Sequence, residues 1–294
     1  MVGEKGIKKF LWIAFFLFPS LLGLLLFKHV PILASLGLTL FKWDLLTPPR
    51  FVFFGNFQRL LHDSAFWTAL GHTLYYIMGY IPLVLVLGLM LAILMNQELR
   101  GRVLFRTAFF MPVVSSWVAV ALLWKWIFNP RFGLLNYFLG LLSLPEPAWL
   151  FDPQWAMPAI IITSVWKDLG FVMVLFLAGL QGIPSVYYEA AAVDGAGNLR
   201  RFFSITLPLL SPTIFFVLTI SMIHSFQVFD QVWIMTGGGP AGATSVLVEH
   251  IVKNAFSYSR MGYASAISWV LFLLVFTVTV AQIIIQKRWV TYDV

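Results

Sequence analysis

The sequence predicts an all-α integral membrane protein built as a six-span helical bundle. Of its 294 residues, 60% are hydrophobic and 11% are charged, whereas soluble domains carry about 25% charged residues. A water-soluble chain of this length could not bury so much apolar surface. The apolar residues also collect in six long stretches, and Lys and Arg are unevenly distributed among the segments that join them. These three observations together define the fold class.

Each apolar stretch is long enough for a membrane-spanning helix, which needs about 20 mostly apolar residues. The stretches lie near residues 10–30, 72–95, 107–128, 156–180, 212–235 and 264–286. The first resembles a signal peptide because lysines precede it, but it is long enough to span and has no convincing small-residue cleavage site. We therefore expect it to remain as the first span of a single transmembrane domain, residues 1–294.

Positive residues divide between alternate connecting segments. The larger group comprises Lys5, Lys8, Lys9, Arg100, Arg102, Arg106, Arg200, Arg201, Lys287 and Arg288. The opposite loops are longer in total, yet they hold only Lys42, Arg50, Arg59, Arg131, Lys253 and Arg260. Because Lys and Arg are enriched in cytoplasmic loops, both termini and the loop 181–207 are expected in the cytoplasm. The net charge of +7 thus follows membrane topology and does not indicate nucleic-acid binding.

The loop between the fourth and fifth stretches is a polar island. Pro184 and Ser185 are typical of a helix start, and Gly195 suits the left-handed residue that ends a helix. Asn198 could begin a second short helix that Pro208 would end. The alanines between Glu189 and Gly195 leave a smooth surface that another protein could approach closely.

This island resembles the signature loop of permease subunits of binding-protein-dependent ABC importers. The family pattern is Glu-Ala-Ala, three residues, Gly, nine residues, Ile, one residue, Leu-Pro, and this chain matches it at every position. The resemblance implies that the loop forms a coupling helix that docks into a cleft on a separate ATPase subunit. The residues expected to take part are Glu189, Ala190, Ala191, Asp194, Gly195, Arg200, Ile205, Leu207 and Pro208.

The outer loop that follows the fifth span resembles the sugar-permease branch of that family, of maltose and glycerol-phosphate type. It contains Gly238, Gly239 and Pro240. The resemblance implies that these residues take part in docking a solute-binding protein. The first outer loop, 31–69, is too short for the large extra domain of the enterobacterial maltose permease, so maltose itself is not implied.

The resemblance implies a set of partners and a location. The partners are a second homologous permease, two ATPase subunits, an extracytoplasmic solute-binding protein and membrane lipid, with no nucleic acid. The location is the cytoplasmic membrane of a bacterium or archaeon. ATP and Mg would be bound by the ATPase subunits, because this chain contains no Gly-Lys pair and hence no phosphate loop. We expect no cofactor, metal or catalytic residue in the chain itself, and therefore no enzyme activity.

Polar residues inside the spans mark a candidate substrate path, because a charge at a helix centre costs about 2.5–3.5 kcal/mol on insertion scales. The fourth span contains Lys167 and Asp168, and the fifth contains Gln227 and Asp230. In a continuous helix, the last two would share a stripe with Ile223 and Ile234. The resemblance to the maltose importer implies that the substrate path is lined by Lys167, Asp168, Phe171, Ile223, Phe226, Gln227 and Asp230. Phe226 or Phe171 would serve as the platform for a sugar ring.

Two alternatives remain open at this point. Lys167, Asp168 and Asp230 could instead form structural ion pairs, or they could couple a secondary transporter to protons or sodium. Secondary transporters usually show two related halves, and no internal repeat is found here. The substrate could be a sugar or a sugar phosphate, and Lys167 would suit an anion.

Overall fold

The computed structural model describes residues 6–98 and 100–291, so Lys5 lies outside the described residues. Among the described residues, four helices are long and apolar enough to cross a membrane. The four are Lys8–Leu38, Ser64–Met95, Pro153–Gln181 and Met261–Gln286. The number rises to six if two bent pairs each count as one span: Arg102–Val114 with Trp117–Ile127, and Asn198–Leu209 with Ser211–Phe226. The prediction of an all-helical membrane protein is confirmed, and the number of six spans stays a prediction.

The helices form two compact units, which are described separately; the single domain stays a prediction. The first unit holds the residues up to Asp63 together with Ile251–Val270. Its elements are α1 (Ile7–Leu24), a π-helical turn (Leu25–His29), α2 (Val30–Leu38), β1 (Phe41–Lys42), β2 (Arg50–Phe51), α3 (Gly55–Leu61), a second π-helical turn (Lys253–Ser257) and the start of a helix at Met261.

A two-stranded ribbon organises the polar end of this unit. β1 pairs antiparallel with β2, which places Lys42 opposite Arg50. The Asn56 amide donates to the carbonyl of Phe41 at 2.9 Å, so α3 supports the base of the ribbon. A Cβ atom at position 262 would overlap the same carbonyl oxygen, and Gly262 therefore allows the helix that starts at Met261 to approach β1.

The second unit holds Ser64–His250 and the residues from Leu271 onward. Its helices are α4 (Ser64–Met95), α5 (Arg102–Val114), α6 (Trp117–Ile127), α7 (Leu134–Leu141), a 3₁₀ turn (Trp149–Phe151), α8 (Pro153–Gln181), α9 (Ser185–Val193), α10 (Asn198–Arg201), a π-helical turn (Phe202–Thr206), α11 (Leu207–Leu209), α12 (Ser211–Phe226) and α13 (Asp230–Met235). The helices α14 (Leu247–Val252) and α15 (Met261–Gln286) each contribute residues to both units.

The centre of the second unit is α8, which packs along α4 and α5. Asp152 caps the N-terminus of α8, because its side chain accepts a hydrogen bond from the N–H of Gln154 at 2.8 Å. Pro153 follows at the first helical position, where a missing N–H costs nothing. α8 is the most buried of the four long helices, which explains why its sequence is apolar on nearly all sides.

Two of the predicted spans are not single helices. The third, 107–128, divides into α5 and α6, which are bent by 103° around Ser115 and Ser116. The fifth, 212–235, divides into α12 and α13, with residues 227–229 outside either helix. At the first break, Pro112 withholds a backbone N–H and Ser116 caps the helix that follows. The second break contains neither proline nor glycine, so no local breaker residue indicated it.

The close contact between α5 and α8 yields a stability prediction. A Cβ at Gly170 would overlap the backbone carbonyl of Phe109, so Gly170→Ala must push the two helices apart. We expect a loss of about 1–3 kcal/mol of stability, measured as a lower midpoint for heat-induced loss of the monodisperse chromatographic peak. The matched control is Gly23→Ala in α1, where a Cβ meets no atom within 4 Å. Equal midpoints for the two variants would contradict the close packing.

Candidate functional site

A polar cavity of about 200 Å³ lies inside the second unit, where α4, α6, α8, α12 and α13 meet. Its lining residues are Tyr76, Tyr80, Trp117, Asp168, His224, Ser225, Gln227, Val228, Phe229, Asp230 and Gln231. Most of them carry a hydrogen-bonding side chain. In a chain of this composition, such a concentration of polar groups indicates a functional site.

Hydrogen bonds fix one wall of the cavity. The Tyr80 hydroxyl donates to Oδ2 of Asp168 at 2.8 Å, and the rings of Tyr76 and Tyr80 stack with their centroids 5.4 Å apart. The Gln231 amide donates to Oγ of Ser164 at 3.1 Å and to the Tyr76 hydroxyl at 3.3 Å. These bonds link α4, α8 and α13, so the wall is preorganised for polar recognition.

The break between α12 and α13 forms the opposite wall. Gln227 caps α12 and Asp230 opens α13, and both side chains are exposed. Between them, Phe229 stacks on Trp233 with ring centroids 5.5 Å apart. Because α12 ends at Phe226 and α13 begins at Asp230, consecutive residues 227–231 can all line the cavity, which one continuous helix would not permit.

Lys167 does not line this cavity. Its Nζ atom donates to the carbonyls of Val113 at 3.1 Å and Pro112 at 3.3 Å, and it lies 4.9 Å from the ring centroid of Trp117. These carbonyls belong to the last turn of α5, where the helix leaves acceptors without intrahelical donors. A cation at a helix C-terminus is also favoured by the helix dipole. Lys167 therefore stabilises the end of α5 at the bend.

The structure brings together three of the seven residues predicted for the substrate path: Asp168, Gln227 and Asp230. Phe171 and Ile223 are half-buried and do not line the cavity, and Phe226 is only 2% exposed. The single stripe predicted from Ile223 through Gln227 and Asp230 to Ile234 is wrong, because it assumed a helix that continues past Phe226. Trp117 and Phe229 supply the aromatic surface that was predicted at Phe226 or Phe171.

Sequence reasoning missed several lining residues. Tyr76 and Tyr80 are one helical turn apart in the second span, a spacing that could have indicated a shared face. Trp117 follows the Pro112 and Ser115–Ser116 breaker signals. His224 is exposed and also lines the cavity, but a lone histidine in an apolar stretch carries no sequence signal that separates it from a packed one.

The predicted coupling loop ends its first helix as expected. The N–H of Gly195 donates to the carbonyl of Ala192 at 3.1 Å, and the N–H of Ala196 donates to that of Ala191 at 2.9 Å. Gly195 has φ 73°, so this is a Schellman motif with glycine at the left-handed position. The Tyr188 hydroxyl forms a hydrogen bond of 2.9 Å with Thr206 Oγ1, which ties α9 to the segment leading into α11.

The solvent-exposed surface of the predicted coupling loop carries both apolar and charged side chains. Glu189, Asp194 and Arg200 are exposed. The exposed apolar side chains are Val186, Val193, Leu199 and Phe203, of which Val193 is 89% exposed. Apolar side chains collected on a polar loop are typical of a protein-binding surface.

The glycine-rich loop that was predicted to be an outer loop is held by hydrogen bonds of Thr244. Thr244 Oγ1 donates to the carbonyl of Gly239 at 2.6 Å, and its backbone N–H donates to that of Gly238 at 3.2 Å. Of the three residues predicted to dock a binding protein, Gly238 is buried, whereas Gly239 and Pro240 are half-buried. The exposed residues of the loop are Gly237, Ala241 and Gly242, on either side of these three.

Residues 84–291 match the family model described as binding-protein-dependent transport system inner membrane component. This match covers α8, the coupling loop and most of the cavity. The probable ABC transporter permease protein YesP of Bacillus subtilis is 37% identical, with 95% of this chain and 91% of that protein aligned. The trehalose/maltose transport system permease protein MalF of Thermococcus litoralis is 35% identical, with 90% of each chain aligned.

A solved structure has the same fold. It is that of a bacterial ABC transporter involved in the import of the acidic polysaccharide alginate, and one of its chains superposes with a TM-score of 0.84 at 25% identity. The superposition covers 96% of this chain and 97% of that one. The helix arrangement described above is thus that of an importer permease.

The placement of Lys167 yields a prediction that separates a structural from a substrate-binding role. Lys167→Met removes the donor that serves the Pro112 and Val113 carbonyls, and we expect it to destabilise the protein by about 1–3 kcal/mol. Transport per assembled complex should be retained. The control is Lys287→Met, because Lys287 is exposed. A normal thermal midpoint combined with lost transport would instead assign Lys167 to the substrate path.

Proposed function

The chain belongs to the binding-protein-dependent transport system inner membrane components, in their sugar-permease branch, and from this premise we propose that it imports a neutral sugar together with a second, homologous permease. The polar cavity at the break between α12 and α13 is the observation that carries the proposal. Six spans, cytoplasmic termini and a bacterial or archaeal cytoplasmic membrane complete the proposed arrangement. The two ATPase subunits and the extracytoplasmic binding protein are separate chains.

The cavity chemistry supports a sugar. Asp168, Gln227 and Asp230 offer acceptors and donors for hydroxyl groups, and the rings of Trp117 and Phe229 offer apolar surface for a pyranose face. Small-molecule pockets typically have volumes of about 300–1,000 Å³, so the cavity of about 200 Å³ is only partly open. We infer that loading requires the α12–α13 break to move away from α4 and α8.

The charges of the cavity favour a neutral solute over an anion. Asp168 and Asp230 line it, and none of its described lining residues is a lysine or arginine. Lys167, the residue that could have served an anion, is engaged with backbone carbonyls of α5. In this respect the substrate would resemble the one named for the trehalose/maltose permease more than the acidic polysaccharide named for the alginate transporter.

The transport cycle follows alternating access. ATP binding, with Mg, closes the two ATPase subunits and draws the coupling loops together, so that the helices open the cavity outward. The binding protein docks on outer loops, including that of Gly239 and Pro240, and releases its sugar into the cavity. ATP hydrolysis returns the inward-open state. This chain contributes the path and the coupling surface.

Uptake into proteoliposomes tests the path. Gln227→Ala and Asp230→Ala each remove a polar contact, and the loss of one such contact corresponds to about a twofold to tenfold decrease in transport. Basal ATP hydrolysis and complex assembly should be unchanged. Gln154→Ala, at an exposed position in the first turn of α8, is the control. If both cavity variants fail to assemble while uptake per complex is normal, the residues are structural.

Omitting ATP in the same assay distinguishes an importer from an ion-coupled carrier that uses Lys167, Asp168 and Asp230. We expect no uptake without ATP. Uptake driven by a proton or sodium gradient alone would contradict the proposal.

Substitution of Gly195 tests the coupling surface. Gly195→Trp places a bulky group on the exposed end of α9 and strains the left-handed backbone by about 1–2 kcal/mol. We expect weaker co-purification of the ATPase and hydrolysis that is uncoupled from transport, with membrane insertion intact. Gly195→Asn is the control, since asparagine tolerates this conformation. Normal coupled transport by the tryptophan variant would exclude the assignment of this loop.

A further inference from the structure

A second cavity, of about 580 Å³, lies entirely within the first unit. The β1–β2 ribbon, the turn within it, α3 and the start of α15 form its walls. Four cations line it, and they are Lys42, Arg50, Arg59 and Arg260. These are four of the six Lys and Arg residues that the sequence places in the outer loops.

Two of these cations are held close together by the fold. Lys42 and Arg50 are directly opposite in the antiparallel ribbon, an arrangement that destabilises a sheet when both charges have the same sign. The repulsion would be relieved by an anion bound between them. The ribbon is therefore better suited to a liganded state than to an empty one.

The other two cations are oriented by aromatic rings. The guanidinium carbon of Arg59 lies 4.7 Å from the ring centroid of Tyr263, and that of Arg260 lies 5.5 Å from the centroid of Tyr258. Such stacking fixes a guanidinium without neutralising it. Arginine can then present paired N–H groups to a phosphate.

Asp44 is the only carboxylate among the described lining residues of this cavity. Its Oδ1 atom accepts hydrogen bonds from the N–H of Thr47 at 2.8 Å, the N–H of Leu46 at 3.0 Å and the Thr47 hydroxyl at 2.9 Å. The hydrogen bond from the Thr47 backbone, followed by that from Leu46, lowers the pKa of Asp44. This carboxylate thus shapes its own turn. Outside the lining, Asp63 accepts a hydrogen bond from the hydroxyl of Tyr263, the ring on which Arg59 stacks. With both carboxylates counted, the four cations are still in excess, four to two.

The cavity lies beside the ends of two candidate membrane spans. The span Lys8–Leu38 ends four residues before Lys42, and the span Met261–Gln286 begins directly after Arg260. Two large apolar residues that neighbour lining residues in the sequence are exposed: Leu46, beside Thr47, at 87% and Phe51, beside Arg50, at 61%. Basic groups that adjoin exposed apolar residues at the end of a span offer both contacts that a phospholipid needs, charge for its phosphate and apolar surface for its acyl chains.

We propose that this cavity binds the phosphate of an anionic phospholipid. Lys42, Arg50, Arg59 and Arg260 surround the phosphate, and the acyl chains lie along the exposed apolar side chains beside the ribbon. Free phosphate shares the headgroup chemistry but lacks the chains, so it would not use Leu46 or Phe51. The site is separate from the transport cavity and does not depend on which solute is carried.

The test compares the full-length chain in phosphatidylcholine nanodiscs with and without phosphatidylglycerol. We expect phosphatidylglycerol to raise the thermal midpoint of the wild type and of Arg131→Gln, which removes the same charge from a different outer loop. Arg50→Gln should lose this response and bind the lipid about fivefold more weakly. Native mass spectrometry of retained lipid provides the affinity readout. Without anionic lipid, Arg50→Gln should be at least as stable as the wild type, because the repulsion with Lys42 is removed.

Three results would overturn the proposal. The first is equal retention of phosphatidylglycerol by Arg50→Gln and Arg131→Gln. The second is full stabilisation by inorganic phosphate in place of the lipid, which would assign the site to a free anion. The third is weaker docking of the solute-binding protein to Arg50→Gln with unchanged lipid retention, which would make these cations a protein-docking surface.

Discussion

The requirement that backbone polar groups find partners inside the membrane governs the second unit of this protein. Irregular backbone at membrane depth is tolerated only where it is buried in protein or lines a water-filled cavity. The chain departs from helical geometry at Ser115–Ser116 and again at residues 227–229. Trp117, directly after the first break, and residues of the second break line the same cavity. The cavity that we propose as the transport path therefore lies where the helices are interrupted.

The neighbours Lys167 and Asp168 show how one helix can both supply a donor to backbone carbonyls at a break and supply a polar group to the cavity. Successive residues of an α-helix differ in direction by about 100°, so the two side chains reach different environments. Lys167 donates to the carbonyls at the end of α5, while Asp168 accepts from Tyr80 at the cavity wall. The lysine stabilises the bend of the third span and the aspartate adds polarity to the path. This division leaves the cavity with carboxylates and supports a neutral solute.

The sequence predicted the features that depend on composition and local backbone chemistry. Apolar length located the helices, and the left-handed Gly195 after α9 was predicted from the pattern around it. The breaks were not predicted, because a proline or serine signal near 112–116 is ambiguous within an apolar stretch and residues 227–229 contain no breaker at all. This error affected the predicted site, because a continuous helix would have placed Ile223, Gln227, Asp230 and Ile234 on one stripe, whereas the chain breaks between Phe226 and Asp230. In the structure Phe226 is buried and Phe229 lines the cavity instead.

The predicted coupling loop and the cavity differ in the chemistry of their surfaces. The loop exposes Val193 and Leu199 beside Glu189 and Arg200, a mixture suited to a protein cleft. The cavity is polar and partly open, with its wall held by the hydrogen bonds of Tyr80 and Gln231. A displacement of the loop can shift α8, which lines the cavity, because only three residues separate the end of α8 from the start of α9.

The most direct test of the central claim is the accessibility of single cysteines across the α12–α13 break. The chain has no native cysteine, so Gln227→Cys, Phe229→Cys and Ile223→Cys can each be labelled without background by a water-soluble thiol reagent supplied to both sides of the membrane. A broken helix predicts rapid labelling at positions 227 and 229, protection of both by the transported sugar, and slow labelling at 223. Rapid, sugar-protected labelling at 223 and 227 with an unreactive 229 would indicate a continuous helix and contradict the account.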